Sequence, residues 1–366
     1  MNIKSLLLGS AAALAAVSGA QAADAIVAAE PEPMEYVRVC DAFGTGYFYI
    51  PGTETCLKIG GYVRFQVDGR SDFAVAPNSG VAGAVGSYRQ QGQGYRTNTR
   101  AQLALEAKSD TELGTLASKI TLRANNNSAS TDFYLEETYL ELGGLRVGYF
   151  YNYFDNGLPG ETVLSDGGPI AGFGYAGGDT LNNSIRYTFD GGAFQAYIQA
   201  DAFDSQDGFK TDVNDEELGV NGLISGKFGG VSADFFAAYD FDYEEAVIAS
   251  TLSAEIGPGK LGVFGVYSFG PSRYWDFSEW SIGAEYAIAV TDKLSITPGA
   301  QYWDNIVPAY GSSDYVGGEA WRVGVTADYK ITQGLTAKAT VNYTDVDTGV
   351  SSDDRWDGFF RLQRSF

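Results

Sequence analysis

Apolar and polar residues alternate along most of this chain with a period of two. Between Leu57 and Asp68, Leu57, Ile59, Val63, Phe65 and Val67 fall on one face, and Lys58, Tyr62, Arg64, Gln66 and Asp68 on the other. A strand sends successive side chains to opposite faces, so this is a strand with one apolar and one polar side. Arg100 to Lys108 repeats it, with Ala101, Leu103, Leu105 and Ala107 set against Arg100, Gln102, Glu106 and Lys108. Lys119 to Ala124 and Ser184 to Phe189 follow suit. Carried along the chain, the pattern predicts about sixteen strands. They begin near Leu57, Arg96, Thr115, Thr131, Leu145, Asn183, Ala193, Glu217, Val231, Ala246, Leu261, Ser278, Leu294, Ala320, Leu335 and Arg355.

The connectors between these segments alternate between tight and long. Tight ones are Ser109-Asp110-Thr111, Gly143-Gly144, Asp190-Gly191-Gly192, Gly229-Gly230, Gly257-Pro258-Gly259, Thr291-Asp292 and Thr332-Gln333-Gly334, built of hairpin-turn residues. Long ones cover 69–95, 151–182, 203–216, 270–277, 304–319 and 345–354. A soluble sandwich has no reason to sort its loops by parity. A transmembrane barrel does, with short turns on one side of the membrane and long loops on the other. The expected fold is therefore all-β: a transmembrane antiparallel β-barrel, apolar outside and polar inside, wide enough for a water-filled lumen.

The N-terminus fixes the compartment. Met1 to Ala22 has a basic residue (Lys4), an apolar run from Leu6 to Val17 and the A-x-A site Ala20-Gln21-Ala22, which together read as a secretory signal peptide cleaved after Ala22. Residues 23–55 are then an N-terminal extension and 56–366 the barrel. Export permits disulfides. Cys40 and Cys56 are the only cysteines; they form either one bridge, worth ~3 kcal/mol by loop entropy, or two thiols without a role.

Composition removes other classes. The chain has no histidine, so it has no Ser-His-Asp triad and no histidine metal site. Twenty-four Lys+Arg against 46 Asp+Glu give a formal charge of -22, which argues against nucleic acid. A mean hydropathy of -0.13 does not fit a bundle of membrane helices. Gly172 to Gly177 matches G-x-G-x-x-G, but no helix pattern follows it. Asp345 to Gly349 lacks the spacing and final Glu of a calcium loop. The acid pairs Glu136/Glu137 and Glu244/Glu245 are accounted for by a polar lumen. No enzyme activity, cofactor or metal is expected.

The last strand ends on Phe366, with Trp356, Phe360, Leu362 and Phe366 on one parity and Arg355, Asp357, Arg361 and Gln363 on the other. With the signal peptide and the strand count, the chain resembles a Gram-negative general porin. The block from Cys56 to Phe65, with Cys40, resembles the alphaproteobacterial (rhizobial and brucella-type) porin family over essentially the whole mature chain. That resemblance implies a homotrimer in the bacterial outer membrane, surrounded by lipopolysaccharide. It implies that Phe366 is the signal for the outer-membrane assembly machinery, although Arg364 departs from the family pattern. It also implies that the third external loop, 151–182, folds inward and narrows the pore, presenting Asp155, Glu161, Asp166 and Asp179.

Parity places a basic wall opposite that loop: Lys58, Arg64, Arg96, Arg100, Lys119, Arg123, Arg146, Arg186, Arg355 and Arg361 all fall on the polar face. A charge facing lipid at mid-membrane costs ~2–4 kcal/mol, so these side chains face inward. They either set a transverse field with the loop acids or pair with lumen acids to hold the wall, and both can hold together. The expected function is passive diffusion of small hydrophilic solutes and ions, with a weak preference for cations. A sugar-selective outer-membrane channel is the alternative, and a soluble secreted β protein a more distant one. Tyr149, Tyr187, Trp280, Tyr286, Tyr329 and Phe366 lie near strand ends, either in membrane-interface girdles or lining the lumen.

Overall fold

The computed structural model describes residues 38–72, 94–127, 131–158, 180–203, 217–306 and 314–366. Residues 1–37, which include the expected signal peptide, lie outside them, as does the glycine motif at 172–177.

Seventeen strands follow in order: β1 (Tyr47–Tyr49), β2 (Cys56–Arg70), β3 (Gly94–Thr111), β4 (Gly114–Asn127), β5 (Thr131–Leu142), β6 (Leu145–Tyr151), β7 (Leu181–Asp190), β8 (Phe194–Ala202) and β9 (Leu218–Phe228), then β10 (Val231–Asp240), β11 (Glu245–Ile256), β12 (Gly259–Ser268), β13 (Trp280–Ala289), β14 (Leu294–Asp304), β15 (Glu319–Thr332), β16 (Leu335–Asp347) and β17 (Ser352–Ser365). From β2 onward each pairs antiparallel with the next. β17 closes on β2, from Asp357↔Arg70 to Ser365↔Tyr62. The result is a closed barrel of sixteen strands, each starting within three residues of the position its alternation predicts.

Register carries the alternation from strand to strand. Val63 faces Ala101, which faces Ala124, while Arg64 faces Arg100, which faces Asn125. The apolar series is the outer surface, where Ile198 is 68% and Ile224 61% exposed. Such a band is stable only against hydrocarbon. The six aromatics near strand ends all lie on this outer parity, so the lumen reading does not apply to them. At the loop end Trp280 packs on Tyr302 with ring centroids 5.3 Å apart, and Tyr343 lies 5.1 Å from Trp321 and 5.0 Å from Trp356.

Three details correct the sequence expectations. Ser109 and Asp110 belong to β3, and the turn is Glu112-Leu113; Thr111 Oγ1 accepts from the Leu113 N–H, and Gly114 takes φ +105°. The connector predicted at 345–354 shrinks to 348–351. There the Thr348 N–H donates to Ser351 O and Gly349 adopts φ +75°, so Asp345 and Asp347 are strand residues. Sorting by parity holds for the tight end, whereas the other end also contains the short connectors 128–130 and 241–244.

Cys40 and Cys56 form a disulfide, with Cα atoms 6.0 Å apart and both side chains fully buried. The bridge closes a hairpin containing β1, a strand the alternation did not predict. β3 occupies one edge of β2 along its full length. β1 therefore takes the other edge, pairing Tyr47↔Lys58 and Tyr49↔Cys56 where β17 has already ended.

The lumen wall as candidate functional site

All ten residues of the expected basic wall lie on the inward parity, but their surroundings differ. Several face acids. Lys119 Nζ lies 2.6 Å from Glu137, Arg146 Nη2 2.8 Å from Glu141, and Arg96 Nε 3.7 Å from Asp68. Arg123 donates to Glu136, as does the Tyr151 hydroxyl. Glu136 reaches the lumen beside Glu137 because a β-bulge opposite Thr121/Leu122 turns both inward. Arg355 Nε sits 3.5 Å from Asp357, which Arg322 grips with two hydrogen bonds of 3.0 and 2.8 Å. Lys58 lies 5.5 Å from the Tyr47 ring, whose hydroxyl donates to Glu106. Arg64, Arg100, Arg186 and Arg361 each donate to an amide oxygen.

Aromatic faces add a second layer on the same arc. Arg146 stacks 4.4 Å from the Tyr139 centroid, and Arg186 4.3 Å from that of Tyr197, with Phe150 between them. Gly148 makes room for this. It adopts φ +134°, and a Cβ there would lie 2.7 Å from Tyr139 Cα.

The long connector after β6 turns inward at once. The Asn152 side chain caps a short 3-10 turn, Tyr153–Asp155, by accepting from Phe154 N–H at 3.0 Å. Tyr153 stacks on Phe236 of β10 at 4.7 Å and its hydroxyl meets Thr251 of β11 at 2.6 Å. Phe154 packs between Phe236 and Trp275, at 5.1 and 5.6 Å. The start of the loop thus reaches from β6 to the inner faces of strands well round the ring. Asp155 sits in this segment; Glu161, Asp166 and Asp179 lie outside the described residues.

A second inward segment, 269–279, was not foreseen as more than a long connector. Tyr274, Trp275 and Phe277 pack on the inward residues Phe236, Val247, Ala249, Phe264 and Val266, and Trp275 is completely buried. Buried acids fix it. The Tyr274 hydroxyl donates to Asp201 at 2.7 Å, joining the Ser184 hydroxyl and the Gln199 and Asn221 amides on that carboxylate. Arg273 lies 3.0 Å from Asp242, and its N–H donates to Asp240 at 2.8 Å. Burial pushes the Tyr153 and Tyr274 hydroxyls well above the usual phenol range, so both stay protonated. The available signal was that β10 to β12 carry apolar residues on both parities, which requires apolar cover on the inside as well.

In the described residues no cluster of His, Cys, Asp and Glu has the geometry of a metal site. The arrangement can select by size and charge.

The family model described as the porin subfamily matches residues 24–358. The putative outer membrane protein y4fJ of Sinorhizobium fredii is 47% identical, with the match covering 100% of this chain and 99% of that one. Porin Omp2b of Brucella canis is 37% identical over the full length of both. Among solved structures, the outer membrane channel DcaP of Acinetobacter baumannii superposes with a TM-score of 0.66 at 14% identity, covering 87% of this chain and 99% of its own. A trimer form of OmpT from Vibrio cholerae gives 0.53 at 11%, covering 86% and 100%.

Proposed function

The chain belongs to the porin subfamily; it is an outer-membrane channel for passive diffusion of small hydrophilic solutes and ions, and we propose that the wall and inward loops described above set what it passes. The observation that carries this reading is the sorting of side chains by parity round one closed ring, with lipid-compatible residues outside and charges inside. Flux follows the concentration gradient, and no chemical step is needed.

In this reading the loop after β6 is the constriction, with Asp155, Glu161, Asp166 and Asp179 opposite the basic wall. The two impose a transverse field on a narrow opening, which orients dipolar solutes and biases ions. The strong acidic excess raises cation concentration at the mouths, so the net preference is weakly for cations.

The working unit is a homotrimer. The turn-end aromatic girdle supports a place for the contact. Tyr187, Phe189, Phe194, Phe228, Tyr286 and Tyr329 mark that end from β7 to β15, whereas β2 to β6 present Leu57, Ala107, Leu116, Leu142 and Leu145 there. Interface aromatics serve a surface that meets headgroups, so the arc without them suits another subunit. Lipopolysaccharide surrounds the remaining outer face. Phe366, whose backbone pairs with Gly61, is the assembly signal.

Single-channel recording of the purified protein in a planar bilayer, with sugars added, tests this. Conductance steps in triplets without saturable sugar block are expected. Saturable block would move the assignment to a sugar-selective channel, and a reversal potential showing anion preference would overturn the cation preference.

A further inference from the structure

Lysines on the inner face are, as a rule, matched with an acid. Lys119 lies 2.6 Å from Glu137, Lys108 3.7 Å from Glu106 and Lys338 3.2 Å from Asp328. Lys58 stands directly opposite Glu106, and Lys260 opposite Glu255. Lys293 and Lys330 break the rule. The Lys330 N–H donates to Lys293 O at 2.8 Å, so across this edge each lysine faces the other. Like charges directly opposite destabilise a sheet. Both side chains are exposed, and among the described residues neither takes part in an ion pair. Lys227 also lacks an acid, but it stands alone, opposite Ser232.

The register builds a patch around the pair. β15 runs Asp328-Tyr329-Lys330, with Tyr329 toward lipid and the two charges on the inward parity of the buried residues Arg322 and Thr326. Ser295 of β14 faces Asp328 on one side. On the other, Thr336 and Lys338 of β16 face Lys330 and Asp328. Three lysines thus share one carboxylate, an excess of two positive charges at the tight-turn mouth of the lumen. That carboxylate is already taken by Lys338. A chain with 46 acids against 24 bases has ample means to place an acid at position 295 or 336; it places uncharged hydroxyls there. An ammonium is a compact charge with three rotatable donors, suited to an oxyanion held in no fixed plane.

We propose that Lys293 and Lys330, with Thr336 beside them, form a binding site for a small oxyanion, the phosphate or carboxylate group of a dissolved solute, while Lys338 keeps Asp328 neutralised. The patch faces the lumen, so its ligand comes from solution and not from a lipid headgroup. A bound anion relieves the repulsion between the two lysines. It also gathers anionic solutes at this mouth against the acidic excess of the whole chain. The part this plays in transport rests on the channel reading above; the binding itself does not.

The test is single-channel conductance in KCl with potassium phosphate added at constant ionic strength, beside calorimetric titration of phosphate into the folded protein in detergent. Conductance is expected to fall saturably as phosphate occupies the mouth. Lys293→Gln/Lys330→Gln should raise the half-effect concentration about fivefold, the scale of losing two exposed ion pairs, and Lys293→Arg/Lys330→Arg should preserve it. Both positions are exposed, so the variants fold, which heat-modifiable gel migration verifies. A parent without saturable phosphate binding by either measurement, or a Gln variant that matches the parent, would overturn the proposal. Binding heat that the Gln variant lacks, in a folded parent that forms no channel, would support the site and sink the channel reading alone.

Discussion

The lumen has two walls that use the same inward parity in opposite ways. From β17 through β2 to β8, inward positions carry arginines, lysines, acids and amides paired strand to strand. From β10 to β12 they carry Phe236, Val247, Ala249, Phe264 and Val266, covered by Tyr153, Phe154, Tyr274 and Trp275 from two connectors. The first wall spends its side chains on charge in contact with water. The second forms a small hydrophobic core on the inner face of the barrel. A pore needs both: a charged surface to discriminate, and a rigid apolar seat for the loops placed against it.

This contrast can be broken from the packed side with the largest effect. Trp275→Ala removes a fully buried indole and should cost ~3–5 kcal/mol, seen as a lower midpoint in thermal or urea unfolding. Because the same indole supports Phe154, single-channel conductance should rise as well. Next comes the disulfide, which holds the edge of the charged wall covalently. Cys40→Ser/Cys56→Ser should lower stability by ~3 kcal/mol, measured by heat-modifiable migration, with conductance changed less than in Trp275→Ala. Gly219→Ala tests the packed wall by overfilling it. Its Cβ would lie 2.8 Å from Tyr274 Cε2 and 2.6 Å from Phe203 Cε2, and the expected cost is ~1–3 kcal/mol. The smallest effect on stability belongs to the charged wall. Arg146→Ala breaks a partly exposed pair with Glu141 and should cost ~0–1 kcal/mol, while moving the reversal potential toward cations. Equal destabilisation by Arg146→Ala and Trp275→Ala would erase the distinction between the walls.

The charged wall was legible in the sequence because its cause is local. Arg64 and Lys119 sit in segments where apolar and polar residues alternate cleanly, and parity alone assigns their side. Closure could be read from the same pattern, since Arg355 and Arg361 share the inward parity of β2. The packed wall was not legible. Phe264 and Val266 stand among Leu261, Val263 and Tyr267, so both faces look apolar and alternation is silent. Their partners, Tyr274 and Trp275, lie in a segment that reads as an ordinary loop. β1 escaped for a different reason. Three residues are too few to show a period, and only the free edge of β2 gives them something to pair with. Arg322 lies outside the expected wall, which covers the first six strands and the last; it stands on β15 and grips Asp357 across β16.

The shared edge of β2 sets a practical limit on how the protein can be handled. Phe366 pairs with Gly61, and Tyr47 already holds Lys58, so only Gly60 and Ile59 separate the end of one strand from the start of the other. A peptide fused after Phe366 would run along that edge for two residues and then collide with the disulfide hairpin. It must peel away or displace β1. An affinity tag or reporter is therefore badly placed directly after Phe366.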